Sequence, residues 1–190
     1  FGLGQWLRIS LAERLGIAAG ISTSLPSTWI WQFCQQLPGF DPRQRRSSFE
    51  NGVMTFVLAR LLTTGTTVQE YPALARYVGI DRDQGLRAYQ LAARLAAMFD
   101  QYLLYRPDWI LDWESGNNLP EDELAWVAAL WRELSTNIDE PHRVHLYQML
   151  EARLAVEPAE HAPQRLTIFG LSTLPPGQLR VFQHLADHID

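Results

Sequence analysis

Leucine stands at every fourth position from the start of the chain, at Leu3, Leu7, Leu11 and Leu15, and a helical period of this kind governs most of the 190 residues. Apolar groups at that spacing gather along one face of an α-helix. The chain is therefore expected to be mainly α-helical. Gly16 offers a first stop, and Pro26-Ser27-Thr28 starts a second helix ahead of Trp29, Ile30, Trp31 and Phe33, which ends at Pro38-Gly39. Beyond the polar linker 41–46, Ser47 or Ser48 is expected to cap a third helix reaching about Leu62. A Thr/Gly-rich loop is expected at 63–67, then a short helix from Tyr71 to Val78 closed by Gly79.

The longest helix is predicted from Asp83 to Tyr105, with Leu91, Leu95, Met98 and Tyr102 within roughly 40° of one another on the helical wheel. Pro107 limits it, and Asp108 to Trp113 adds one more turn. Pro120-Glu121-Asp122-Glu123 opens another helix with the stripe Leu124, Val127, Trp131, Leu134 and Ile138. The next begins near Pro141, carries Leu146, Leu150 and Leu154, and stops at Pro158. Only Arg165 to Phe169 is β-prone; a turn and a helix from Pro175-Pro176 through Leu179 to Ala186 follow it. The expected organisation is helical over 1–160 and strand, turn and helix over 164–188. One strand leaves its backbone donors and acceptors without neighbours, so the 190 residues are expected to be a fragment of a longer protein.

Composition narrows the chemistry. All sixteen basic residues are Arg and none is Lys. A P-loop, a Schiff-base enzyme and a nuclease of the PD-(D/E)xK type each need a lysine, so none is complete here. A net charge of −5 argues against a stand-alone, nonspecific DNA binder, which needs a basic face to release counterions. Any nucleic-acid contact must be local. The single cysteine, Cys34, makes no internal disulfide, and neither a signal-peptide pattern nor an apolar run near 18 residues is present. A cytoplasmic protein without a membrane segment is expected. Seven Trp, six Tyr and eight Phe supply a core that would be costly to leave wet.

Individual residues point less sharply. His142 and His145 stand three apart, and His184 and His188 four apart, at spacings that put two imidazoles on one helix face. Neither pair has a third ligand in its sequence context, and the expectation is two surface helices with no metal. Ser172 in Gly170-Leu171-Ser172-Thr173-Leu174 lacks the final glycine of a nucleophile elbow. Glu121, Asp122 and Glu123 suit a helix N-terminus, and Arg43, Arg45 and Arg46 a solvated linker. Asp100 lies opposite the Leu91/Met98 stripe among Ala93, Ala96 and Ala97, small groups that would admit a close partner. Gln5 lies about 160° from Leu7 on the first helix. On the residues alone, both read as ordinary solvent-facing polar groups.

Several segments together resemble one family. They are Gly2-Leu3-Gly4-Gln5-Trp6-Leu7, Leu15-Gly16-Ile17-Ala18-Ala19, Leu25-Pro26-Ser27-Thr28-Trp29-Ile30-Trp31, Phe99-Asp100-Gln101-Tyr102-Leu103-Leu104-Tyr105-Arg106-Pro107-Asp108-Trp109, His145-Leu146-Tyr147-Gln148 and Phe169-Gly170-Leu171-Ser172-Thr173-Leu174-Pro175-Pro176. In order and spacing they are similar to the amino-terminal part of the exodeoxyribonuclease V gamma chain, the RecC family, across essentially the whole chain.

The resemblance implies an α/β fold of the superfamily 1 helicase type that has lost its motor chemistry, of which these residues form a mainly helical fragment. It implies a non-catalytic subunit of a bacterial, cytoplasmic heterotrimer that processes double-strand breaks for homologous recombination. The partners are then a helicase-nuclease beta subunit, a helicase alpha subunit and single-stranded DNA. No catalytic site and no cofactor are expected in this chain, ATP and Mg²⁺ being used by the partners. The absent lysine agrees, as does the lack of a carboxylate after Leu166 to Phe169, where a Walker-B-like Mg²⁺ ligand would stand.

In the family, the inactive helicase domains form a tunnel that scans the 3′-ending strand for the Chi hotspot. The residues used there correspond by motif to Gln5, Leu25, Trp31, Met98, Asp100, Arg106 and Arg143. Gln5 and the two arginines offer paired hydrogen bonds to base edges or phosphates, Asp100 accepts from an exocyclic amine, and Trp31 gives a base a stacking surface. Leu25 and Met98 add apolar contact. Where the family pattern has an acidic residue before Met98, this chain has Ala97; at that position the resemblance implies neither the family's octamer nor the reading of a hotspot. The alternative is a structural platform for the helicase-nuclease partners that reads no sequence.

Overall fold

The structure is a computed structural model that describes residues 2–36, 47–117, 125–156 and 163–189. In chain order its helices are α1 (Gly2–Leu15), α2 (Pro26–Cys34), α3 (Asn51–Thr64), α4 (Thr66–Glu70), α5 (Pro72–Val78), α6 (Gln84–Tyr105), α7 (Pro107–Glu114), α8 (Ala125–Asn137), α9 (Arg143–Leu154) and α10 (Pro176–Ala186). The chain divides into two compact units, residues 1–43 with 150–190, and residues 44–149.

The spine of the 44–149 unit is α6. Its predicted stripe is largely the buried one: Leu95 is buried, and Leu91, Met98 and Tyr102 pack against the core. The buried face also takes in Ala88, Ala92 and Ala96, with Phe99 and Leu103 completing it. Small side chains there let α3 lie along α6, so Ala96 serves helix packing and does not frame Asp100 for an outside partner. Met54, Leu58, Leu61 and Leu62 of α3 fill the other side. The aromatic load falls at the centre, where Trp113 and Trp131 are fully buried and Phe99 meets them edge-on, with ring centroids at 6.3 and 5.1 Å. Such pairs add about 0.5–1.5 kcal/mol each to the burial itself.

In the 1–43 and 150–190 unit, α2 buries Ile30, Phe33 and Cys34, and α10 buries Val181, Phe182 and Leu185. Trp29 stacks on Phe33 at 5.2 Å and tilts toward Phe182 at 5.9 Å. The leucine stripe of α1 makes a helix with no fully buried residue. Its contacts instead run to the segment before α10: Trp6 stacks on Phe169 at 6.4 Å, and Gly170, at φ +71°, comes so close that a Cβ there would lie 2.7 Å from Leu3 Cδ2.

Three expectations are corrected. No strand forms at 165–169 among the described residues, which run irregularly up to α10; a lone β-prone run without a pairing partner has no ladder to satisfy its backbone. The stretch 63–67 is not a loop, because α3 continues through Thr64 and α4 begins at Thr66. His184 and His188 do not share a helix face: α10 ends at Ala186, and His188 Nε2 lies 2.8 Å from the Leu154 carbonyl oxygen. The linker arginines Arg43, Arg45 and Arg46, the acids Glu121 to Glu123 and the stop at Pro158 lie outside the described residues.

Candidate nucleic-acid interface

Four of the seven sequence-predicted contact residues belong to the 44–149 unit. Asp100 sits on α6 one position past the buried Phe99, at the border of the core face, and Arg143 opens α9. These two meet. Arg143 Nη2 donates to Asp100 Oδ1 at 2.7 Å, with side-chain exposures of 26% and 27%. Asp100 is thus neither a free solvent-facing carboxylate nor an isolated repulsive charge. It is half of a partly shielded ion pair in which, among the described residues, neither member makes another side-chain hydrogen bond. The second carboxylate oxygen and most of the guanidinium's five N–H donors remain available.

Arg106 caps the end of α6, where Pro107 at the first position of α7 stops the helix. Its Nε and Nη2 donate to the two carboxylate oxygens of Asp108 at 3.1 and 2.8 Å. The guanidinium carbon lies 3.6 Å from the Trp109 ring centroid, held over the indole face. Asp108 takes the Nε edge, leaving three N–H groups, two of them on the outer Nη1/Nη2 edge suited to end-on contact with a phosphate or a guanine. Trp109 in turn meets Tyr102 edge-on at 5.2 Å. Arg106 is therefore fixed from below by aromatic groups tied into the core. Met98 is half-buried against that core, so only part of its side chain remains for an apolar contact.

The other three residues lie in the second unit. Gln5 is exposed on α1. Leu25 forms the N-cap of α2, with extended backbone at φ −70° and ψ 148°, and is 69% exposed. Its neighbourhood reaches α1, since a Cβ on Gly4 would stand 3.1 Å from Thr23 Oγ1. Trp31 is half-buried on α2, next to the fully buried Ile30.

A cluster missed by the sequence surrounds the start of α9. Glu114, the last residue of α7, receives hydrogen bonds on Oε1 from Trp131 Nε1 at 3.1 Å and Ser135 Oγ at 3.3 Å. His142 Nε2 lies 2.8 Å from the same oxygen and His145 Nε2 3.0 Å from Oε2. Burial opposes the charge on Glu114, yet the His142 hydrogen bond and the nearby imidazoles and indole outweigh it and hold the carboxyl below its usual range. Burial, then the neighbouring His142, depress the His145 imidazole against the pull of Glu114. Glu114 stands 28 residues before His142, too far for a spacing pattern to join them.

No helix among the described residues is long and apolar enough to cross a membrane. The family described as "RecC, N-terminal domain" matches residues 1–190. RecBCD enzyme subunit RecC of Escherichia coli (strain K12) is 36% identical over 202 residues, covering 100% of this chain and 17% of that protein. The subunit of the same name from Haemophilus influenzae is 30% identical over 216 residues, covering 99% of this chain and 19% of that protein. That of Mycolicibacterium smegmatis is 30% identical over 198 residues, covering 100% and 17%. The chain thus spans less than a fifth of the length of these relatives.

Proposed function

Because the chain belongs to the RecC N-terminal domain family, we propose that it supplies part of a surface that scans single-stranded DNA inside a heterotrimeric helicase-nuclease. In this reading the full-length protein is a bacterial, cytoplasmic subunit with an inactivated helicase-like fold. It works beside the helicase-nuclease beta and helicase alpha subunits, which use ATP and Mg²⁺. Its task is to grip the 3′-ending strand and signal when a hotspot passes.

The observation that carries the reading is the Asp100–Arg143 pair. Two residues matched to DNA contacts from separate sequence motifs form one hydrogen-bonded unit at 2.7 Å between α9 and α6, the helix whose C-cap is the stacked Arg106. Pairing pre-orients both groups. Asp100 keeps one oxygen for the exocyclic amine of cytosine or adenine, and Arg143 keeps donors for a phosphate or a guanine edge. Because the pair is close to neutral, its affinity for a phosphate-rich strand is small and a base lacking the right donor is disfavoured, which favours discrimination over tight binding. Arg106, paired with Asp108 and laid on the Trp109 indole, offers its remaining N–H donors in a fixed orientation. Trp31 offers a stacking surface, Gln5 a bidentate amide, and Leu25 and Met98 apolar contact.

The test is hotspot-dependent attenuation of nuclease activity by the reconstituted heterotrimer carrying full-length protein with Asp100→Ala or Arg106→Ala. The scanning reading expects both variants to lose most of the response while unwinding continues. An unchanged response in both would leave the platform role in its place.

A further inference from the structure

Glu114, His142 and His145 offer one carboxylate oxygen and two imidazole nitrogens that all lie within 4.8 Å of one another. They arrive from two helices: Glu114 ends α7, while His142 immediately precedes α9 and His145 is on its first turn. The imidazole rings stack at 4.0 Å between centroids, with 23° between their planes, and both Nε2 atoms face the same carboxylate. His142 is 1% exposed and enclosed by Phe49 and Trp131.

His142 is tied into the cluster through one ring nitrogen. Here Nε2 turns to Glu114 and Nδ1 is buried with no hydrogen-bond partner. The carboxylate shows the opposite pattern, with donors from Trp131 and Ser135 fixing its plane from behind. Outer hydrogen bonds of that kind orient a metal-binding carboxylate.

We propose that Glu114, His142 and His145 bind a divalent transition metal, with zinc the reference ion. Two imidazoles and a carboxylate are a nitrogen and oxygen donor set of the type zinc accepts. Ligand atoms about 2.0–2.1 Å from a tetrahedral ion stand about 3.3 Å apart; the two Nε2 atoms now lie 2.8 and 3.0 Å from the two different oxygens of Glu114, and to converge on one ion the imidazole rings, stacked at 4.0 Å, swing apart by about 1 Å. Metal binding at Nε2 requires each imidazole to hold its N–H at Nδ1, and Glu114 supplies the carboxylate oxygen. The 40% exposure of His145 gives an entry side and leaves a fourth position to water.

The consequence is a clip between the end of α7 and the start of α9. Arg143 lies between the two imidazole ligands in sequence, so the ion would fix the helical turn from which it reaches Asp100. None of the three ligands is a residue matched to DNA, and binding of an ion is measured without DNA, so the site does not rest on the scanning proposal.

The experiment is metal binding by the full-length protein, stripped with chelator and titrated with Zn²⁺ by calorimetry, alongside His145→Ala and Glu114→Gln. His145 is exposed enough to change without emptying the core, and Glu114→Gln keeps its volume. The expected result is one fewer equivalent of tightly bound Zn²⁺ in His145→Ala and at least tenfold weaker binding at that site in Glu114→Gln. With Co²⁺ in its place, the unaltered protein should show intense visible d–d absorption that His145→Ala loses. Equal stoichiometry and affinity in all three proteins, or no binding by the unaltered one, would overturn the site. Because no DNA is present, either result leaves the scanning proposal to its own test.

Discussion

Arg143 and Asp100 are joined at 2.7 Å between the first residue of α9 and the last third of α6, each about three-quarters shielded from solvent. A pair this partly exposed is worth about 1 kcal/mol. Native-state hydrogen exchange on the full-length protein should show the Leu146 amide, bonded to the His142 carbonyl at the start of α9, losing roughly fivefold protection in either Asp100→Asn or Arg143→Gln. The double variant should lose little more than either single one. Strictly additive losses would mean that the two side chains do not act as a pair.

Glu133 of α8 caps α4 from outside its own helix, accepting from the backbone N–H of Thr66 at 2.6 Å and of Thr67 at 3.0 Å. Burial pushes against its charge, but the bonds from Thr67 and Thr66 prevail and lower its pKa below the ordinary 4.5. A carboxyl with a depressed folded value stabilises the fold above its unfolded value, and that contribution disappears as pH falls through the folded value. Protection of the α4 amides should therefore decline below pH 4.5, as intrinsic exchange is corrected for, whereas Glu133→Gln should be weakly protected and flat over the same range. Equal pH dependence in both proteins would remove Glu133 from the account of α4.

Gly65 sits where α3 gives way to α4, and a Cβ there would stand 2.5 Å from the Leu61 carbonyl oxygen and 2.7 Å from Glu133 Oε1. Its φ of −76° is open to any residue, so the requirement comes from space alone. Gly65→Ala should destabilise this region by about 1–3 kcal/mol through the clash and displace the Glu133 cap, read as lost exchange protection in α4. Unaltered protection would show that the two helices separate without cost.

Cys34 is 1% exposed, and burial pushes its thiol up to about 12. Since the thiolate is the reactive form, iodoacetamide at neutral pH should leave Cys34 unlabelled in the native full-length protein and label it after denaturation, as read by peptide mass spectrometry. Rapid native labelling would contradict the burial of the inner face of α2.

Much of this architecture is legible in the sequence because helices announce themselves locally. The run from Gln84 to Tyr105 shows its period, and Gly79 and Pro107 mark its surroundings. What depends on distant neighbours is not legible. Thr63 and Thr64 look like loop formers, yet their hydroxyls bond back to the Arg60 carbonyl and let α3 run on, and Glu133 then starts α4 from another helix. Ala96 reads as a small group beside Asp100 until α3 is packed against it. Arg165 to Phe169 has strand-forming side chains and no described segment to pair with. Of the candidate site, motif likeness supplied the residues Asp100 and Arg143, but their union across 43 positions is a product of folding. Likewise His142 and His145 show half a ligand set, and the carboxylate that completes it comes from the end of α7.

The most direct measurement replaces Tyr105, exposed beside Arg106, with a photoreactive phenylalanine analogue in the full-length protein. The assembled heterotrimer is irradiated while it unwinds labelled DNA. The same analogue at Ile80, the 96%-exposed position in the same unit, is the reference. The scanning account predicts covalent capture of the 3′-ending strand from position 105 and not from position 80. No capture at 105, or equal capture at both, would contradict it.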